Sequence, residues 1–144
     1  MESLLKEKLW AHIAHNNPDL MLNLQADHSV TKYLDEKMEG ITPMIAQLAS
    51  EAKPQYIIQE LCLDALTADL KPSKFLYIRS VIEEDFTEHF ERLKERGILT
   101  YEVANLITIC NAAVFKSFGF TTDNLEDRHL RYAVIAEIYY YLLG

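Results

Sequence analysis

Two pairs of side chains in this 144-residue sequence have spacings that could hold a metal or move a proton. Glu126-x-x-His129 has the i, i+3 step that puts a carboxylate and an imidazole on one helical face. Di-iron bundles use two such pairs plus two further glutamates from other helices. A second Glu-x-x-His is absent here, since Asp85 and His89 lie one residue too far apart. Glu126 is also explained, and better, as a first-turn acid suited to a helix dipole. His12-x-x-His15, with Asp19 beyond a turn, is the other candidate. Two imidazoles can begin a zinc site, but working sites need three or four ligands. Both rings also suit the C-terminal end of a first helix, where partial positive charge is favoured.

The remaining chemistry is thinner. The sequence has no nucleophile–base motif, no phosphate-cradling glycine loop and no dinucleotide fingerprint. Cys62 and Cys110 sit among apolar residues, as small buried hydrophobes do. The expectation is therefore a non-enzymatic protein without cofactor or resident metal. A DNA-associated regulator is the alternative. Leu99 to Ala104 followed by Ile107, Ile109 and Val114 resembles a degenerate helix-turn-helix across residues 100–118. Thr108 stands where that motif usually turns on Gly, and Asn111 to Phe118 offers one Lys and two Phe for groove reading.

Charge weighs against nucleic acid. The net charge is −8, and all five arginines lie at or beyond position 79. Through Lys71 there are six basic and eleven acidic side chains, and beyond it eight and eleven. Neither half is a cationic surface, so attraction to phosphate backbones or anionic lipid is disfavoured. No stretch reaches the roughly 20 apolar residues of a membrane span. The charged start, Met-Glu-Ser-Leu-Leu-Lys-Glu-Lys, lacks the apolar run of a signal peptide. A cytoplasmic location is expected.

Side chains are positioned by helices. Four Gly and four Pro supply few turns, which suits long helices and not a sandwich of short strands. Leu5, Leu9 and Ile13 step by four after Ser3, and Asn16-Asn17-Pro18 stops that helix. Asp19 to Ala26 reads as a short helix or an apolar loop. Val30, Tyr33, Leu34 and Met38 mark a second helix ending at Gly40. Thr42-Pro43 opens a third carrying Met44, Ile45, Leu48 and Ala52. Pro54 opens a fourth with Ile57, Leu61 and Ala65. From Pro72-Ser73, one long helix carries Phe75, Ile78, Ile82, Phe86, Phe90 and Leu93, with Phe86 in its core stripe. Gly97 ends it, Thr100 caps the next, Gly119 ends that, and Asp123 with Glu126 caps the last. The expected fold is all-α: a single compact domain over residues 1–144, an irregular bundle of six to seven helices.

From Leu4 to about Phe86 a resemblance enters. Leu9-Trp10, Asn17-Pro18, Gly40, the run Leu66-Thr67-Ala68-Asp69-Leu70-Lys71-Pro72-Ser73-Lys74-Phe75 and the acidic Ile82-Glu83-Glu84-Asp85-Phe86 carry it. The chain resembles an all-helical "domain of unknown function" family of short Bacteroidetes proteins. Pro72 stands where the family pattern has an aromatic. The resemblance implies helices and assigns no catalytic residue.

Asn124 to Leu143 contains no Gly or Pro, and from Tyr132 onward only Glu137 is charged. A helix that is apolar on nearly every side must be surrounded, by its own domain or by a partner. Tyr139, Tyr140 and Tyr141 point around more than half a turn, and tyrosine couples a large apolar ring to a hydroxyl that can stay wet. These three, with Leu142 and Leu143, are the interface candidates. The reading is an interaction or accessory protein whose partner is another protein or itself, as a homodimer.

Overall fold

A computed structural model describes all 144 residues. The chain is all-helical and folds as two compact units, Met1–Lys71 and Pro72–Gly144. Each has its own cluster of buried side chains, where periodicity alone had suggested one core. No helix is long and apolar enough to cross a membrane.

The first unit contains α1 (Glu2–Asn16), α2 (Pro18–Ala26), α3 (Val30–Ser50), α4 (Gln55–Thr67) and a 3-10 turn, Ala68–Leu70. Leu5, Leu9 and Ile13 of α1 are fully buried against Met38, Ile41 and Leu48 of α3 and Ile58, Cys62 and Leu66 of α4. Asn17 separates α1 from α2, as Pro18 dictates, and its amide donates to the Leu70 carbonyl at 3.3 Å. The ambiguous segment after Pro18 is helical, with Leu20 and Met21 against the core.

The expected break at Gly40–Pro43 does not occur, because α3 runs through both. A proline inside a helix costs about 3 kcal/mol. Here it leaves the carbonyl of exposed Glu39 without its helical donor, where water can serve instead. An unbroken helix keeps Met38, Ile41 and Leu48 aligned on one buried face, and each such side chain contributes roughly 1.5–3 kcal/mol. Burial wins over local punctuation. Ala52, expected in the buried stripe, is instead exposed just past α3 at φ +59°.

The second unit contains α5 (Lys74–Asp85), α6 (Thr87–Glu95), α7 (Leu99–Cys110) and α8 (Arg128–Leu143). Helix α7 continues through a π-helical stretch, Asn111–Phe115, and a last turn, Lys116–Phe118. Counted this way there are eight helices, more than the six or seven expected. The added ones are α2 and the split of the long amphipathic helix at Phe86 (φ −133°, ψ 47°), offset by the fusion within α3. Bending there lets α6 fold onto α5 and α7 and bury Phe90. Phe86 itself is half-buried at the corner, not a central core residue.

The stripe of α4 lies one residue further on than read, because Ile58, Cys62 and Leu66 are buried while Leu61 and Ala65 are exposed. Three helix-end signals behave as read. The Ser73 hydroxyl accepts from Leu76 N at 3.1 Å as the cap of α5. Gly97 and Gly119 adopt φ +72° and +74° after their helices, where a side chain would be strained. Thr100 is not a cap, because α7 begins at Leu99.

Two stability outcomes follow. Phe90→Ala should cost about 3–5 kcal/mol by chemical denaturation, as full-burial truncations do, and Phe86→Ala clearly less. Equal losses would mean that the bend is misplaced. Ala52→Gly should stabilise by roughly 1 kcal/mol, because the left-handed conformation penalises Cβ. A destabilised variant would rule out that backbone geometry.

Candidate functional site

Helix α8 starts at Asp127, whose Oδ1 accepts from His129 N at 2.9 Å. The expected cap at Asp123 and Glu126 is therefore displaced. Thr121 and Asn124 form a capping box around a 3-10 turn, Thr122–Asn124, and Asn124 Nδ2 donates to the carbonyls of Phe118 and Gly119. Glu126 precedes the helix, so it does not share a helical face with His129. Arg131 then fixes α8 on α5. Its Nη2 lies 2.7 Å from both Glu84 Oε2 and Asp85 Oδ2. Burial opposes the guanidinium charge, but the bonds and charges of Asp85 and Glu84 more than offset it and raise the Arg131 pKa.

One side of α8 is closed. Leu130, Val134 and Ile138, four residues apart, are fully buried against α5 and α7. Tyr141 and Leu142 also turn toward this core. The Tyr141 hydroxyl accepts from Asn105 Nδ2 at 3.1 Å, and its pKa is raised, first by burial.

The opposite side is open. Tyr132, Ala136, Tyr139, Tyr140 and Leu143 are exposed at i, i+4, i+7, i+8 and i+11, which is one continuous helical face. The tyrosines are 59%, 53% and 69% exposed, and Leu143 50%. The Tyr139 and Tyr140 rings meet edge to face at 6.0 Å. The structure thus divides the five sequence candidates: Tyr139, Tyr140 and Leu143 lie on the open face, while Tyr141 and Leu142 support the helix. Tyr132 and Ala136 were missed, although their phase with Tyr139, Tyr140 and Leu143 could have been read from the sequence. The open face covers on the order of 400–500 Å², about the size of the largest apolar patch on an ordinary monomer, which is often functional.

A cleft of about 430 Å³ beside α5 is lined by Ser73, Tyr77, Ser80, Glu84, Glu126 and Arg131. Its serines are engaged by backbone: Ser73 as a cap, Ser80 donating to the Tyr77 carbonyl at 2.7 Å. Nowhere do three or more His, Cys, Asp or Glu side chains converge as metal ligands would. Burial pushes the Cys62 thiol up, and burial followed by the Glu137 charge pushes Cys110 up to about 12. Residues 100–118 form one helix with Thr108 inside it, so the helix-turn-helix spacing does not produce a turn. Lys74 donates to Asn111 Oδ1 at 2.8 Å and lies over the Phe115 ring.

In the first unit, His12 is held by Asn16, whose Nδ2 reaches His12 Nδ1 at 3.3 Å and the His12 carbonyl at 3.0 Å. Burial, then the charges of Lys71 and His15, lower the His12 pKa. His15 is exposed.

No protein-family model, curated protein or solved structure matches the chain.

The His12 environment has a pH consequence. With its folded pKa below the unfolded 6.5, the unfolded chain binds more protons as pH falls. Its contribution is intact above pH 6.5 and is lost as pH drops from there toward the folded pKa. His12→Gln should flatten stability in that window, measured by denaturation at several pH values. An unchanged slope would exclude His12 as its source.

Proposed function

We propose that this is a non-enzymatic interaction or accessory protein that engages a protein partner, or a second copy of itself, through the open face of α8. The carrying observation is the exposed stripe of Tyr132, Ala136, Tyr139, Tyr140 and Leu143 on a helix whose other side is locked into its unit. Aromatic side chains concentrate at the centres of interfaces because they bury large areas for few rotatable bonds. The residues between Tyr132 and Leu143 on this face carry no charge, so docking there desolvates no ion. The family resemblance seen in the sequence adds helices to this reading and no activity.

Photocrosslinking in cells tests it. A benzophenone side chain at position 140 should give an adduct of discrete mass, and the same group at Glu91, exposed on α6, should not. Adding Tyr132→Glu, which places a charge in the stripe, should remove the adduct. Failure to crosslink at 140, or identical products from both positions, would sink the proposal.

A further inference from the structure

The cleft beside α5 has features that the tyrosine face does not use. Leu76, Tyr77, Ser80 and Glu84 form one wall from a single face of α5. Leu125 and Glu126, in the turn before α8, form the other with Arg131. The volume of about 430 Å³ lies in the range of small-molecule sites. The Tyr77 hydroxyl is buried without a hydrogen-bond partner, which is costly for a group that can both donate and accept. Its ring is held edge to face by Phe120, with centroids 5.3 Å apart. Burial comes first in raising the Tyr77 pKa; the Arg131 charge lowers it, and those of Asp127 and Glu126 raise it. The hydroxyl therefore sits among two acids and one base, and none of them bonds to it.

We infer that this cleft binds a small organic cation, a primary ammonium on a short apolar body, held by the Glu126 carboxylate and the Tyr77 hydroxyl. The site does not depend on the tyrosine face. Its best-placed donors are already committed. Ser80 gives its proton to the Tyr77 carbonyl at 2.7 Å, and Arg131 directs Nη2 to Glu84 and Asp85, each at 2.7 Å. What remains for a ligand is mostly lone pairs, on the Ser80 hydroxyl, Glu84 Oε1, the Tyr77 hydroxyl and Glu126. Charge points the same way. Glu84 and Asp85 together outweigh Arg131, and Glu126 adds a third carboxylate. An anion would be repelled by that excess, whereas an ammonium, with three donors and no acceptor, is drawn to it. Pro72, Leu76 and Leu125 offer apolar surface to a carbon chain, which a bare metal ion would leave unused. The turn carrying Leu125 and Glu126 lies outside any helix, so a small outward shift of that wall lets a ligand nitrogen reach the hydroxyl.

Butylamine is the probe, titrated into the isotope-labelled full chain at physiological salt, which screens loose surface attraction. Butanol and butanoate are its neutral and anionic matches. Butylamine should shift the NMR signals of Leu76, Tyr77, Leu125 and Glu126, and neither match should do so. Glu126→Gln removes one charge at nearly constant shape and should weaken binding roughly threefold to tenfold. Tyr77→Phe deletes the unpartnered hydroxyl and keeps the ring on Phe120, so the fold should hold while affinity falls about twofold or more. Glu91→Gln, at an exposed acid on α6, should change nothing. Shifts scattered over the acidic surface and unaltered by Glu126→Gln would mean an adventitious counterion only and would overturn the site. An equal response to butanol, or a preference for butanoate, would overturn the cation. Full affinity in Tyr77→Phe would overturn the assignment of the hydroxyl.

Discussion

The second unit depends on a mismatch between the circumference of α8 and the surface available to cover it. Helices α5 and α7 can wrap only the side carrying Leu130, Val134 and Ile138. Burying these three contributes roughly 1.5–3 kcal/mol each, enough to fix the helix in place. The Arg131 clamp on Glu84 and Asp85 adds direction more than energy, because all three groups remain partly exposed. It also places a cation where two acids at the end of α5 face the negative pole of their own helix. What remains is the tyrosine side, apolar by sequence and uncovered in the chain alone.

The same contest between local signals and burial decides which helix ends were legible. Ser73, Gly97 and Gly119 were readable because nothing competes with them: Ser73 sits where an amphipathic stripe begins, and the two glycines where one stops. Pro43 was misleading because the stripe of Met38, Ile41 and Leu48 continues across it. At Phe86 the error runs the other way. The spacing through Phe90 and Leu93 is fit for one long helix, and only the tertiary gain of folding α6 onto its neighbours breaks it. Periodicity marks a buried face but not what that face will meet. Hence the two separate clusters were invisible in the sequence, where apolar stripes occur on both sides of Lys71 and nothing in them says which will meet.

The candidate site was half legible for a related reason. Three adjacent tyrosines must diverge by about 100° each, so some had to leave the core. Which one stays is set by phase against Leu130, Val134 and Ile138. Tyr141 follows Ile138 by three and falls beside it, while Tyr139 and Tyr140 fall away. Glu126 and His129 illustrate the opposite limit. Their spacing is right for a shared face, but a helix that begins at Arg128 cannot use it.

Tyrosine is the residue that lets one helix serve both sides. Turned inward, Tyr141 fills space against the core while its hydroxyl meets Asn105 at the edge. Turned outward, Tyr139 and Tyr140 shield part of each other's rings and keep their hydroxyls solvated, which lowers the cost of exposure in the unbound chain. Leucine or phenylalanine at those positions would make a stickier face with no polar atoms to orient a partner. The tyrosines leave a face able to wait in water and still bury a large area when it is covered.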